Sequence, residues 1–296
     1  MIPVFIGATF LIFIMVYALG DPVAGLFGDR APDPATAARL RSEFNLDKPL
    51  WQQYVLYMGK IFSGDFGTAF NGEPVLDLMG RAFPISFRLM MVALAFEIVL
   101  GITLGVITGL RRGRAIDTSV LMMTLVVIAI PTFVLGTTLQ FFLGVKLAWI
   151  NPAVPAEARF SDLIVPGMII AMVSLAYVTR LTRTSIVENA RADYIRTAVA
   201  KGLSRRRITI RHLLRNSLIP VVTYLGADIG TLMAGALVTE RIFNIQGVGY
   251  QLYQGIFRQN APTVVGFVTV LVLIFLVANL LVDLLYAVLD PRIRYA

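Results

Sequence analysis

The chain has 296 residues, 57% of them hydrophobic, with a mean hydropathy of +0.77 and a formal net charge of +8. That apolarity excludes a water-soluble domain of this size. The absence of cysteine excludes disulfides and thiolate metal sites, and a single histidine, His212, cannot build an imidazole metal cluster.

Six apolar runs, at about 2–19, 89–110, 120–145, 163–179, 218–239 and 264–285, are each near the ~20 residues that carry a helix across a ~30 Å hydrocarbon core. Backbone groups in lipid must be satisfied within the segment, and no ten-residue alternation marks barrel strands, so the runs read as helices. The fold class is all-α: a polytopic membrane protein with six transmembrane helices, forming a single domain over 1–296.

The first run starts at Met1. No basic region precedes it and no small-residue cleavage site follows, so a cleaved signal peptide is not expected. With no charge ahead of it, either the later loops set its orientation or a few basic residues have been lost upstream. Residues 20–84 form an insert too long for a simple connection. Within it, Asp33-Pro34 can open a helix through about Phe44, with Asp at the cap and Pro in the first turn. Pro49 starts a second amphipathic stretch, Leu50 to Met58, and Ser63-Gly64-Asp65-Phe66-Gly67 reads as a turn. The insert either caps the bundle or forms a docking or gating cover.

Between the second and third runs stand Arg111, Arg112 and Arg114. Between the fourth and fifth stand Arg183, Arg191, Arg196, Lys201, Arg205, Arg206, Arg207, Arg211 and Arg215; the tail adds Arg292 and Arg294. With six spans, all lie on one side, which the positive-inside rule makes cytoplasmic, with both termini. One-sided basic charge orients the protein and meets anionic lipid, so it does not argue for nucleic acid. The insert carries offsetting acids and falls outside.

The loop at 180–217 is the most specific feature. Val187, Ala190, Tyr194 and Ala198 recur at three- and four-residue spacing, predicting one apolar stripe on a helix of about four turns. Glu188 and Asp193 lie toward its start, Arg196 and Lys201 toward its end, as the macrodipole prefers. Gly202 fits a left-handed C′ position. Ser204 can cap a second helix through about Asn216, and Pro220 marks the start of the fifth span. Two helices joined by a glycine make a stiff elbow. Its small apolar centre suits a protein groove better than a lipid surface, where larger side chains dominate.

Charged or polar residues inside spans are costly and commonly functional. Asp228, Glu97 and Gln140 are candidates to line a translocation path, or to make interhelical hydrogen bonds. Asp283 is expected near Arg292 and Arg294 in a structural role. Gly101, Gly105 and Gly109 permit close helix contact, and Pro131 permits a kink.

These pieces together resemble the permeases of ATP-binding-cassette importers, in the dipeptide/oligopeptide and nickel branch, B-type subunit. Phe44-Asn45-Leu46-Asp47-Lys48-Pro49-Leu50 with Gln53-Tyr54, then Gly64-Asp65-Phe66-Gly67, are similar to the family's first external segment. Asp193-Tyr194-Ile195-Arg196-Thr197-Ala198, Ala200-Lys201-Gly202-Leu203, Arg211-His212, Arg215-Asn216 and Ile219-Pro220 resemble its coupling (EAA) loop. Glu240-Arg241-Ile242-Phe243 with Gly247-Val248-Gly249, Asn279 to Tyr286, and Leu289-Asp290-Pro291-Arg292-Ile293-Arg294-Tyr295 resemble later stretches. Where the general importer pattern has Glu-Ala-Ala, Arg196-Thr197-Ala198 stands here.

The resemblance implies a type I importer permease fold and the transport of di- or oligopeptides, with a nickel chelate, glutathione or another small solute as alternative cargo. It implies a homologous second permease, two cytoplasmic ATPase subunits and an extracytoplasmic solute-binding protein, in a bacterial plasma membrane. The ATPases would meet the elbow at Glu188, Ala190, Asp193, Tyr194, Arg196, Thr197, Ala198, Lys201 and Gly202. The chain has no Gly-x4-Gly-Lys-Ser/Thr phosphate loop, so ATP and magnesium would belong to those partners and no catalytic, cofactor or metal residue is expected here. The rival class is an ATP-independent secondary transporter, which calls for broken helices, repeats or charge rings.

Overall fold

A computed structural model describes residues 1–19, 23, 33–43 and 45–289, with the side chains of 18, 19, 43, 234, 235, 283 and 285–289 left undescribed. The expected neighbourhood of Asp283, Arg292 and Arg294 therefore lies outside the described residues, as does Phe44. Every regular element among the described residues is helical, apart from an isolated bridge between Thr68 and Pro74. The chain divides into two compact units, Met1–Ser86 with Asn244–Val277, and Phe87–Phe243 with Ala278–Ala296.

The first unit begins with α1 (Ile2–Leu19), α2 (Pro34–Glu43) and α3 (Leu50–Phe62). The capping chemistry read from sequence is present: the Asp33 carboxylate accepts from the Thr36 N–H at 3.1 Å, and Pro49 stands at the N-cap of α3. The 63–67 turn has Gly64 and Gly67 at φ +83° and +78°, and the Asp65 carboxylate accepts from the Gly67 N–H at 2.9 Å. α1 and α3 join through a 2.8 Å hydrogen bond between the Thr9 and Tyr54 hydroxyls, with Phe13 edge-on to Tyr54. The unit also holds the start of α4 (Val75–Leu110), all of α11 (Val248–Phe257) and most of α12 (Ala261–Leu289). There Phe83 stacks on Phe267 at 5.9 Å, and the Ser86 hydroxyl accepts from the Val248 N–H that opens α11.

α4 starts fourteen residues before the second apolar run, with Pro84 inside it. Its first half is amphipathic: Val75, Met79, Ala82 and Leu89 are buried while Asp77, Arg81 and Arg88 interrupt the hydropathy. A run-length criterion sees only the half that is apolar all round.

The second unit holds the rest of α4, then α5 (Ala115–Ala129), α6 (Thr132–Lys146), α7 (Ile164–Asn189), α8 (Asp193–Ala200), α9 at 205–217 and α10 (Ile219–Ile242). Wide π-type turns interrupt α4 at Glu97–Gly101, α6 at Gln140–Lys146 and α9 at Ile208–Leu214. α4 and α7 pack through the predicted glycines. A Cβ on Gly101, Gly105 or Gly109 would stand 2.8, 2.4 or 2.7 Å from Val178, Thr182 or Ile186. Their faces meet at backbone distance, the small-residue mode of membrane helix packing.

α4, α7 and α12 are each long and apolar enough to cross a membrane. α5 and α6 qualify as a pair bent by 97°, and the halves of α10 as a pair bent by 47°. α1, with 18 residues, would reach about 27 Å at ~1.5 Å per residue. An apolar helix thus stands at each of the six predicted runs. At Pro131 the expected kink is a full break: Ile130 is extended (ψ 125°) ahead of the proline, which stands at the N-cap of α6. Extended backbone is what a residue before proline prefers.

Candidate coupling and translocation sites

The elbow departs from its predicted register. The sequence suggests one helix of about four turns, but α7 continues through Glu188 to Asn189 and the chain then turns. The Arg191 N–H donates to the Glu188 carbonyl and the Ala192 N–H to the Asn189 carbonyl, and Ala192 is extended. α8 follows as an eight-residue helix. No glycine or proline marks this break, so a single period ran across it.

The stripe changes with the register. Ile195 and Ala198 point inward and pack with Ile186, Ile208 and Leu213. Ala190 and Tyr194 are exposed, and the Tyr194 hydroxyl donates to the Asn189 side-chain oxygen at 2.7 Å. The buried stripe therefore seats α8 on its own chain. The outward face presents Asp193, Tyr194, Arg196, Thr197, Val199, Ala200 and Lys201, with Val199 60% exposed. Asp193 and Arg196 form a 3.5 Å pair in full solvent, worth little.

The glycine corner is built as expected. Gly202 has φ +72°. Its N–H donates to the Val199 carbonyl at 2.9 Å, and the Leu203 N–H to the Ala198 carbonyl at 3.2 Å. These bonds are the two closures of a Schellman motif, and Leu203 packs on the cluster that holds Ala198. The Ser204 hydroxyl accepts from the Arg207 N–H at 3.4 Å and caps α9. Pro220 lies in the first turn of α10.

Behind the elbow sits an ion pair that sequence reading missed. Arg183 donates from Nε to Asp117 Oδ1 at 2.6 Å and from Nη2 to Oδ2 at 2.8 Å, and Oδ2 also accepts from the Gly113 N–H. One turn earlier on α7, Arg180 Nε donates to the Thr124 hydroxyl at 3.0 Å. α7 thus clasps α5 with two arginines that a charge count assigns to the loop. The available signal was Asp117, an acid in the first turn after a basic connection.

Glu97 and Asp228 come together. Both are buried, and the two carboxyls are neighbours, with Ser174 beside Asp228. Both oxygens of Glu97 and Oδ2 of Asp228 find no donor. Glu97 opens the wide turn of α4, a feature frequent at functional sites. Gln140 stands apart from this pair: its Nε2 donates to the Pro152 and Ile242 carbonyls, both at 2.6 Å, tying α6 to the end of α10. Replacing Glu97 with Gln supplies the missing donor. A Tm in detergent equal to or above wild type is expected, by up to about 1–3 kcal/mol for satisfying buried acceptors; a drop of several degrees would show that the acid itself holds the helices.

The helical fold, with its long apolar helices and glycine-packed core, is that of a multi-pass membrane protein. Residues 101–295 match the family described as binding-protein-dependent transport system inner membrane component. The chain is 36% identical to the dipeptide transport system permease protein DppB of Escherichia coli (strain K12), over 99% of this chain and 96% of that one. It is 35% identical to the di/tripeptide transport system permease protein DppB of Pseudomonas aeruginosa (strain UCBPP-PA14), over 100% and 96%. It is 33% identical to the oligopeptide transport system permease protein OppB of Haemophilus influenzae (strain ATCC 51907 / DSM 11121 / KW20 / Rd), over 98% and 95%. Its fold matches a chain of the inward-facing MetNI methionine ABC transporter with a TM-score of 0.60 at 19% identity, over 73% of this chain and 97% of that one. The protein belongs to this family of ABC-importer permeases.

Proposed function

We propose that this chain is a permease subunit of an ATP-driven importer of di- and oligopeptides. It forms half of a translocation path with a homologous second permease. Two cytoplasmic ATPase subunits, which supply the ATP and magnesium chemistry, receive the outward face of α8. A solute-binding protein delivers cargo to the external face that carries α2 and α3. Both termini are cytoplasmic, in a bacterial inner membrane. ATPase closure pushes α8, and because α8 is seated on Ile186 of α7, the push turns α7 and the glycine-packed α4 with it, alternating access. Glu97 and Asp228 stand at the moving contact between α4 and α10 and line the path; Gln140 holds α6 to α10.

The observation that carries this reading is the Gly202 corner. A Schellman-closed helix with an exposed apolar Val199 and a buried seat is a rigid lever, and a stand-alone transporter has no use for one. The broken α5–α6 span is the feature that favours an ATP-independent transporter. Co-purification with candidate partner subunits decides. Hydrolysis that rises with loaded binding protein supports the importer; purification alone, with solute movement in vesicles lacking an ATPase, overturns it.

Two variants test the lever. A Cβ on Gly202 would meet no atom within 4 Å, so the first cost of Gly202→Ile is the left-handed strain, about 1–2 kcal/mol. Ala198→Glu pushes a charge into the Ile186 cluster and should cost more. Both are expected to insert normally and hydrolyse ATP while losing most uptake. Normal uptake at normal expression would sink the lever.

A further inference from the structure

The passage from α9 into α10 carries a concave basic site of its own. It is an open pocket of about 500 Å³ lined by Arg211, His212, Arg215, Asn216 and Ile219. Ile208 and Leu213, on the buried face of α9, pack with Ile186, Ile195 and Ala198. The Ser217 hydroxyl donates to the Ser185 carbonyl at 3.3 Å and ties the end of α9 to α7. α9 is therefore fixed by its apolar face and leaves a basic one uncovered.

The polar groups of this pocket can be reached from outside and lack partners. Arg211, Arg215 and Asn216 are exposed and His212 is half-buried. Neither guanidinium makes an ion pair or a hydrogen bond among the described residues. α9 cannot supply one, because its sequence from Arg205 to Ser217 contains no acid. Arg211 and Arg215 are four residues apart, which places them on one helix face with Cβ atoms about 5–6 Å apart. Two planar forks at that spacing suit the oxygens of a single phosphate, a group that arginine takes bidentately. Asn216 Nδ2 donates to the His212 carbonyl at 3.3 Å, which orients the amide and leaves its second N–H for a further oxygen.

The remaining wall sets these two arginines apart from Arg205, Arg206 and Arg207. Ile219 is the first residue of α10 and is 36% exposed, so the pocket opens where an apolar helix begins. An occupant needs an anionic end for the arginines and an apolar body for α10. A soluble phosphate has only the first. A phospholipid has both, and the anionic lipid of the cytoplasmic leaflet attracts basic groups beside a span. We propose that this pocket binds the phosphodiester headgroup of an anionic phospholipid, with Arg211 and Arg215 on the phosphate oxygens and an acyl chain along α10 from Ile219. The assignment rests on the cytoplasmic placement of the 180–217 loop. It adds that the bilayer holds the helix on which α8 is seated.

The test is native mass spectrometry of the purified assembly, stripped of lipid in detergent and titrated with phosphatidylglycerol. Tight binding is expected, weakened about tenfold or more by Arg211→Ala combined with Arg215→Ala. Both side chains are exposed and unpaired, so their truncation strands no buried group. Arg205→Ala combined with Arg206→Ala removes the same charge outside the pocket and should bind as wild type does. Equal weakening in the two double variants reduces the effect to surface charge and overturns the site, as does no weakening in the first. Inorganic phosphate and ATP are the soluble probes: displacement of the lipid by either assigns the pocket to a soluble phosphate and overturns the lipid. Phosphatidylglycerol held by the chain alone but lost when ATPase subunits bind gives the arginines to that contact, and overturns it too. The chain has no cysteine, so Arg206→Cys and a membrane-impermeant maleimide read the side of the membrane separately. Labelling only in permeabilised right-side-out vesicles upholds the cytoplasmic placement whatever the lipid result, and labelling in sealed ones overturns that placement.

Discussion

Replacing Gly105 with leucine is expected to remove the folded protein from the membrane fraction. A Cβ there would lie 2.4 Å from Thr182 Cβ and 2.7 Å from the Thr179 carbonyl oxygen. The second of these is backbone and cannot turn aside. Overpacking a core costs typically about 1–3 kcal/mol, and here α4 and α7 would have to separate along the seam that Gly101, Gly105 and Gly109 form. Even Gly105→Ala should lower Tm. The matched control is Gly80→Ala, on the same helix, where an added Cβ meets nothing within 4 Å. There the helix propensity gain, up to about 1 kcal/mol, should hold or raise Tm. If both alanine variants behave alike in a detergent melt, the close approach of α4 and α7 is wrong.

Truncating Arg183 to alanine is the second large effect. It strips Asp117, whose side chain is 3% exposed, of a bidentate partner and leaves it with the Gly113 N–H. Breaking a buried pair from one side costs about 3–5 kcal/mol, because a charge stays buried alone. Arg183→Ala should therefore fall several degrees in Tm, whereas Arg183→Met with Asp117→Leu should recover most of it. The double variant separates stability from coupling. If Arg183 transmits motion from α7 to α5, the recovered protein still imports poorly; full recovery of uptake assigns the pair to folding alone.

What could be read in the sequence was chemistry that acts over three or four residues. Asp33, Pro49, Gly202 and Ser204 each cap or end a helix where expected, because a cap is a bond between near neighbours. The six runs were legible because lipid demands length. The stripe at Val187, Ala190, Tyr194 and Ala198 was misread because the break at Ala190–Ala192 carries no turn residue. It is held by Ile195 and Ala198 packing on Ile186 and Leu213, which a local period cannot see. Gln140 shows the same limit: one of its partners lies 102 residues away. The Asp117–Arg183 pair spans 66 residues, and each half alone reads as an ordinary charge near a membrane face. Glu97 and Asp228 were singled out for their cost in lipid, but nothing in one sequence says that they meet.

The wide turn at Glu97–Gly101 has a consequence for how the gene can change. A π-type turn is an α-helix carrying one residue too many, and each residue turns a helix by about 100°. Deleting a single codon within that turn would restore regular winding upstream and downstream. Because the wide turn has already absorbed the surplus residue, Gly105 and Gly109 would keep their face toward α7, and only side chains inside the turn, Glu97 among them, would change direction. The turn thus sets the direction of the acid at Glu97 independently of the glycine seam. A scan of single-codon deletions through 90–110 should therefore find tolerance at Glu97–Gly101 and loss between Gly105 and Gly109, where a deletion turns one glycine about 100° away from the other's face.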